Sequence, residues 1–206
     1  MATRLAVMIL LACYDFSFGG AYKVSIHTGQ PVFGGFSKDS ESLRNGGSKT
    51  KEYQVSYLHG ENNGILIGVM RGIEFSKYVQ FTTTSRQYGK YSSNYQYDGI
   101  AIGYWHSVNP TFRFETGLNY GVGSFEFNLE NIDPIILNDI RITNLFWNGI
   151  YPYSFFNEQF KIDFIGSMGL YKINVPDFSY NQISFTQSDL MQKLYFYMSI
   201  GIGFRF

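Results

Sequence analysis

Apolar and polar residues alternate with a period of two between Lys193 and Phe206. The apolar positions are Leu194, Phe196, Met198, Ile200, Ile202, Phe204 and Phe206. Successive side chains of a strand point to opposite faces, so this pattern predicts a β-strand with one wholly apolar face. The opposite face carries Tyr, Ser, Gly and a single Arg, where a soluble sandwich would expose Lys, Glu and Thr. Such a face suits a narrow, packed, polar interior.

The same alternation recurs earlier in the chain. It is clear in residues 22–27, 53–57, 112–123 and 160–170. Three further segments are predicted to be strands, but their pattern does not clearly show which residues point inward. They are residues 64–75, 95–106 and 140–153. The total is eight strands, each close to the roughly 9–11 tilted residues that cross a bilayer.

The predicted connections alternate in length. Long ones cover residues 34–51, 76–94, 124–139 and 174–190, and short ones cover residues 61–63, 107–110 and 154–158. Asn and Pro in the short ones favour tight reversal. An even number of strands with this alternation predicts an all-β, eight-stranded antiparallel up-and-down transmembrane β-barrel, with four long extracellular loops and three short periplasmic turns. Closure is required because every backbone group in lipid must pair internally.

The chain resembles the small eight-stranded bacterial outer-membrane barrels, such as outer membrane protein X and the barrel domain of outer membrane protein A. The resemblance covers residues 20–206, and its most specific element is the alternating end of the chain from Tyr195 to Phe206. It implies a bacterial outer-membrane location, a monomer, and contact with outer-membrane lipids. It also implies that Phe204 and Phe206 form the signal read by the outer-membrane assembly machinery.

Composition agrees with a barrel and excludes other classes. Lys+Arg and Asp+Glu both number 16, so the formal net charge is zero and a nucleic-acid partner is not expected. Charged residues make up only 16% and aromatic residues 19%, with 22 Gly. The sequence has no apolar run long enough for a membrane-spanning helix.

The amino terminus predicts a signal peptide over residues 1–19, with cleavage after Gly19 or Ala21. A short basic start is followed by the apolar run LAVMILLA and then by small residues. Two alternatives are a buried N-terminal helix and a lipoprotein signal, which would make Cys13 a lipidated first residue. Ordinary cleavage removes Cys13, the only cysteine, and with it any disulfide or thiolate metal site.

Charged residues on the predicted inner face are expected to form a lumen network. They are Lys23, Arg113, Glu115, Lys161, Asp163 and Arg205, with Gln54 and Asn119 beside them. An eight-stranded barrel is just wide enough for side chains to fill it, so a closed salt-bridge network is the first interpretation. The alternative is a small pore or a path for protons or solutes. Aromatic residues beside the short turns predict an aromatic girdle at the periplasmic face of the membrane. They are Tyr57, Tyr104, Trp105, Trp147, Tyr151 and Tyr153.

Catalytic and metal motifs are weak. His106 and Ser107 lie near Glu115 in sequence, as in a lipid A deacylase of barrel type, but adjacent strand residues point to opposite faces. His27, His59 and His106 lack metal-ligand spacing. We therefore predict no catalytic residue, no metal site and no cofactor.

The predicted loops differ in charge. Residues 76–93 carry Lys77, Arg86 and Lys90 without an acid, and residues 124–139 carry only acids. The basic segment is a candidate for contact with lipopolysaccharide phosphates. A projecting strand edge is a candidate for capturing a surface partner by strand addition. The alternative is that these are ordinary solvated loops.

The sequence thus predicts an outer-membrane barrel with a structural and interactive role, namely membrane integrity and surface contacts with lipopolysaccharide or a cell-surface partner. The second hypothesis is a narrow porin-like channel, which conductance in planar bilayers would distinguish. The third is a lipid A-modifying enzyme, which would alter the mass of lipid A.

Overall fold

The computed structural model describes residues 20–33, 44–82, 87–88, 91–129, 133–155, 160–174, 176–180, 183–185 and 194–206. Eight long strands carry the fold: β1 (Gly20–Phe33), β2 (Arg44–His59), β3 (Asn63–Thr82), β4 (Tyr91–Asn109), β5 (Phe112–Leu129), β6 (Ile135–Phe155), β7 (Phe160–Asn174) and β8 (Leu194–Arg205). No helix in these ranges is long and apolar enough to cross a membrane.

The eight strands close into a ring. Each pairs antiparallel with its neighbours in the chain, and β8 returns to pair with β1, with Val24 opposite Phe204. A path of paired residues that leaves β1 at Ala21 and crosses every strand returns to β1 at Pro31, ten residues further on. A stagger of this size tilts the strands by roughly 40° from the barrel axis. The predicted eight-stranded barrel is confirmed.

The outer wall is apolar. Along β8 the even-numbered residues point outward and the odd-numbered residues inward, so that Ile200 is 71% exposed while Ser199 is buried. Further exposed residues of this wall are Ile26, Ile67, Ile102, Leu118, Phe164 and Met168. An apolar surface that surrounds a closed ring meets lipid, since water would oppose its exposure on every side. The chain is a transmembrane barrel.

Four strands run far beyond the roughly 9–11 residues that a bilayer requires. β3, β4, β5 and β6 have 20, 19, 18 and 21 residues. The predicted loops at residues 76–94 and 124–139 are therefore largely strand. β2 also begins at Arg44, inside the predicted loop at residues 34–51, so three of the four long loops are shorter than predicted. In residues 124–129 the alternation persists, but Phe125 and Phe127 are buried on the inner face and polar residues lie between them, so the apolar side of the strand is inside there. Two short strands, Phe178–Tyr180 and Ile183–Phe185, pair with each other in the connection before β8.

The three segments whose inward side the sequence did not clearly show, in β3, β4 and β6, have apolar residues on both the inner and the outer face of the barrel. In β6, Ile142, Phe146 and Ile150 point inward, and Leu145 and Tyr151 point outward. The prediction that Trp105 belongs to a membrane girdle is wrong: its side chain is 4% exposed and packs inside the barrel with Leu58, Leu66 and Ala101. Its indole Nε1 donates a hydrogen bond to the carbonyl of His59 at 3.0 Å. The signal peptide prediction, including Cys13, lies outside the described residues.

Candidate functional site

A layer of charged side chains fills the barrel near the end that carries the short turns. Lys23 Nζ lies 2.5 Å from Glu115 Oε2, and Arg113 Nη2 lies 2.6 Å from Asp163 Oδ2. Arg113 Nη2 also lies 3.1 Å from Glu115 Oε1, and this contact joins the two pairs. Arg205 extends the layer with a 3.4 Å contact to Asp163 Oδ1. Five of the six predicted lumen charges thus form one network.

Strand facing explains how the layer forms. Lys23, Arg113 and Asp163 occupy inward positions near the turn ends of β1, β5 and β7, and each is at most 1% exposed. Asn148 on β6 donates a further hydrogen bond to Glu115 at 3.2 Å. A buried charge is tolerated only with partners, and the two carboxylates here contact cations from β1, β5 and β8. Lys161, the sixth predicted charge, is half-buried opposite Arg205, without an ion pair in the described ranges.

A second polar cluster lies nearer the other end of the barrel and surrounds Glu52, which the sequence analysis missed. The hydroxyls of Tyr97 and Tyr171 lie 3.3 and 3.0 Å from Glu52 Oε2 and 3.0 Å from each other. Asn119 Nδ2 donates to Glu52 Oε1 at 3.4 Å. Glu52 lies just before the recognised alternation of residues 53–57. Continuing that alternation to residue 52 would have placed it on the inner face.

Aromatic rings close the lumen at this level. The rings of Tyr171 and Tyr197 meet edge to face with centroids 4.5 Å apart, and Asn144 donates to the Tyr197 hydroxyl at 3.2 Å. Tyr95 and Tyr97 stack at 5.2 Å, and all four rings are at most 5% exposed. This arrangement blocks the lumen above the ionic layer.

Between the two clusters lies a small polar cavity. It is lined by His27, Gln54, Asn148, Ser167 and Ser199, among others, and has a volume of about 10 Å³. That is roughly the minimum for one water molecule. His27 lies 3.1 Å from Ser25 and 3.3 Å from Ser167, so its ring takes part in the packed polar interior. The cavity is too small for a solute.

The residues of the catalytic and metal hypotheses are not brought together. His106 is exposed on the outer wall, whereas Glu115 is buried in the lumen. Ser107 lies opposite Arg113 in the register of β4 and β5. Within the described ranges, no group of three or more His, Cys, Asp or Glu side chains could hold a metal ion. The structure therefore gives no support to the deacylase hypothesis at these residues.

Two further predicted sites differ in how much of them the structure describes. The backbone of Lys77 lies in β3 opposite Ser92. Arg86 and Lys90 lie outside the described residues. Phe204 and Phe206 are on the outer wall, 54% and 56% exposed. Phe206 exchanges two backbone hydrogen bonds with Tyr22, at 2.9 and 3.0 Å, so the last residue completes the seam between β8 and β1.

No protein-family model matches the chain, and no curated protein matches it. Several solved structures are similar. Ail, the attachment invasion locus protein of Yersinia pestis, was solved with the heparin analogue sucrose octasulfate; it is 13% identical with a TM-score of 0.44, over 91% of this chain and 99% of that chain. The outer membrane protein OprG of Pseudomonas aeruginosa is 11% identical with a TM-score of 0.45, over 92% and 96%.

The outer membrane protease OmpT of Escherichia coli is also similar, at 8% identity and a TM-score of 0.41, over 93% of this chain and 98% of that chain. At such values the likeness carries no argument about activity. The fold assignment rests on the closed strand order, in which β8 pairs with both β7 and β1.

Proposed function

We propose that this protein is a sealed barrel of the bacterial outer membrane, with a structural role in the membrane and an interactive role at the cell surface. The observation that carries the proposal is the closed lumen, in which Lys23, Glu115, Arg113 and Asp163 form one buried network. A barrel so filled holds its shape and conducts nothing, so its contacts with other molecules are made by its surface.

The packing argues against the channel hypothesis. An ion entering from one end meets the aromatic rings around Glu52, and one entering from the other end meets the ionic layer. The cavity between them holds about one water molecule. Passage would require separating Arg113 from Asp163 in a low-dielectric interior, where a buried charge left without its partner is strongly unfavourable.

The outer-membrane location is supported by two features. The apolar wall surrounds a closed sheet, which is one of the two ways a protein backbone crosses a bilayer. The outward positions of β8 are also apolar along the strand, and Phe204 and Phe206 continue this surface to the rim of the barrel. A folded barrel of this kind migrates differently on a gel before and after boiling, so outer-membrane fractionation combined with this heat shift tests the location.

The surface role is supported by the projecting part of β6. Residues 135–137 pair with β5, whereas the pairing of β6 with β7 begins only at Arg141. Within the described part of the chain, residues 135–140 therefore have one unpaired edge. Ile136 in this segment is 61% exposed. An unpaired, partly apolar edge is the surface to which an extended segment of a partner adds as a further strand.

Planar-bilayer recordings on the refolded full chain test the sealed lumen. The wild type is expected to show no conductance steps. The triple variant Arg113→Ala, Tyr97→Ala and Tyr171→Ala removes large side chains from both closures and is expected to conduct. Arg71→Ala, on the outer wall, is the matched control and stays silent.

A heat shift on the gel shows that each of these variants has folded. Steps of equal size in the wild type and the triple variant would refute the sealed lumen and favour the channel hypothesis.

A further inference from the structure

The outer wall carries its described cations at one end only. Lys51, Arg71, Arg141 and Lys172 are exposed on strands β2, β3, β6 and β7, towards the end away from the short turns. At the turn end the wall is aromatic, with Tyr104, Phe112, Tyr151, Phe160 and Phe206 exposed. The described charges at that end lie within the barrel, at its rim or in the turn between β2 and β3.

Arg71 differs from the other cations because it is neutralised. Its Nε and Nη2 atoms each lie 2.6 Å from a carboxylate oxygen of Asp98 on the neighbouring strand. Arg141 and Lys172 form no ion pair in the described ranges, although both are exposed. The nearest acid along β6, Asp139, is exposed as well and does not pair with Arg141.

The sheet register places Arg141 beside Lys172. Arg141 lies opposite Asn174, and Thr143 lies opposite Lys172, so the two cations are diagonal neighbours on the same outward face. Diagonal neighbours are roughly 7–8 Å apart, and their β-carbons are somewhat closer. Both side chains are long and flexible, so they reach an anion that lies between them.

The wall directly below this pair is apolar. Leu145 lies opposite Leu170, and Trp147 lies opposite Met168, two and four residues further along β6 from Thr143. Leu145 and Met168 are 38% and 46% exposed. Two cations above an apolar surface match the two parts of an amphiphile: a phosphate headgroup and acyl chains.

We propose that Arg141 and Lys172 bind the phosphate of a phosphorylated glycolipid in the outer leaflet, whose acyl chains lie along Leu145, Leu170 and Met168. The site rests on the proposed outer-membrane location, and it is separate from the basic segment around Lys77. A single neutralised cation such as Arg71 offers less to an anion, because Asp98 occupies its guanidinium. The proposal also fixes the orientation of the barrel, with the cationic rim outside.

Native mass spectrometry of the refolded full chain, titrated with bisphosphorylated lipid A, tests this site. The double variant Arg141→Gln and Lys172→Gln is expected to bind lipid A about tenfold more weakly, because it loses two contacts to a charged group. Lys51→Gln removes an exposed cation from the same end of the barrel on β2. This control is expected to stay within about twofold of the wild type, as an isolated surface charge contributes little.

Lipid A stripped of its phosphates is expected to bind the wild type as weakly as lipid A binds the double variant. Equal affinity of the wild type and the double variant for lipid A would overturn the proposal. So would displacement of lipid A by inorganic phosphate at equal concentration, which would make the pair a site for free anions. A folded, heat-shifting and silent barrel with either result would lose only this lipid site, whereas a preparation without a heat shift would contradict the proposed function itself.

Discussion

Lys23 on β1 and Glu115 on β5 form a buried ion pair across the barrel, with Nζ 2.5 Å from Oε2. The two residues are 92 positions apart in the chain, and both side chains are 0% exposed. Their strands are not neighbours in the ring, so the pair spans the lumen and fixes one wall against another. Arg113 and Asp163 continue this connection to β7.

Breaking this pair from one side is expected to destabilise the barrel. Glu115→Gln leaves Lys23 and Arg113 without their shared anion, and Lys23→Met leaves a carboxylate with one cation fewer. Each variant is expected to lower the free energy of unfolding by about 3–5 kcal/mol, the usual cost of leaving a buried charge uncompensated. Urea titration of the refolded protein in lipid vesicles, followed by fluorescence, measures the change.

The variant Lys51→Met serves as the control for these substitutions, because Lys51 is exposed on the same sheet. It is expected to change the free energy of unfolding by less than about 0.5 kcal/mol. The double variant Lys23→Met and Glu115→Gln should lose less than the sum of the single changes, with a coupling of about 0.5–3 kcal/mol. Simple additivity would show that the two residues do not act as a pair.

Two glycines provide a matched test of the interior packing. A β-carbon on Gly72 would clash with the ring of Tyr97, whose hydroxyl is held by Tyr171 and Glu52. Gly72→Ala is therefore expected to cost about 1–3 kcal/mol, the usual cost of overpacking. Gly166, on the outer wall, has nothing within 4 Å of its β-carbon position.

Gly166→Ala is expected to be neutral or to stabilise the barrel by about 0.4–1 kcal/mol, because it restricts the unfolded chain. The same urea titration measures both variants. Equal losses for Gly72→Ala and Gly166→Ala would show that Tyr97 does not fill the space beside Gly72.

The two tryptophans are expected to report on opposite sides of the wall. Trp105 is 4% exposed inside the barrel, whereas Trp147 points outward between Thr116 and Met168. In vesicles that contain brominated lipid, Trp105→Phe should leave an emission that is strongly quenched, and Trp147→Phe should leave one that is weakly quenched. The opposite order would invert the facing of β4 and β6.

The fold was predictable where one face of a strand is apolar and the other is not. In β8 and β5 the alternation determines both the strand and its facing, since lipid lies on one side and polar side chains on the other. In β4 and β6 it does not, because Trp105, Ile142, Phe146 and Ile150 are apolar and yet point inward. Hydrophobicity cannot separate a lipid-facing side from an apolar interior.

The sequence predicted which residues of the candidate site lie inside the barrel, but it did not predict which of them contact each other. Alternation placed Lys23, Arg113, Glu115 and Asp163 on the inner face, where the structure has them. Which cation meets which carboxylate depends on the stagger of the ring, which brings together residues far apart in sequence. Glu52 was missed because the recognised alternation was stopped at Tyr53, one residue short of it. Its contacts with Tyr97 and Tyr171 could not be predicted, because these partners lie on other strands.

The barrel itself bears on the predicted signal-peptide cleavage. Gly20 lies opposite His59 and Ala21 lies opposite Leu58, so both are part of the β1–β2 pairing. Cleavage after Ala21 would remove them from the sheet, whereas cleavage after Gly19 would keep them. We therefore expect the mature protein to begin at Gly20, which intact-mass measurement of membrane-extracted protein determines. A mature chain that begins at Cys13 with an added lipid mass would instead establish the lipoprotein alternative.

Two exposed isoleucines distinguish a membrane barrel from a soluble one with the same strands. Ile200 is 71% exposed midway along β8, and Ile136 is 61% exposed on the part of β6 that extends past β7. In a bilayer Ile200→Arg places a charge in the acyl region and should cost about 2–4 kcal/mol, whereas Ile136→Arg lies above the lipid and should change stability by less than about 0.5 kcal/mol. Urea unfolding in vesicles measures both. In water neither site would penalise a charge, so equal and small effects would contradict the membrane assignment that the apolar wall supports.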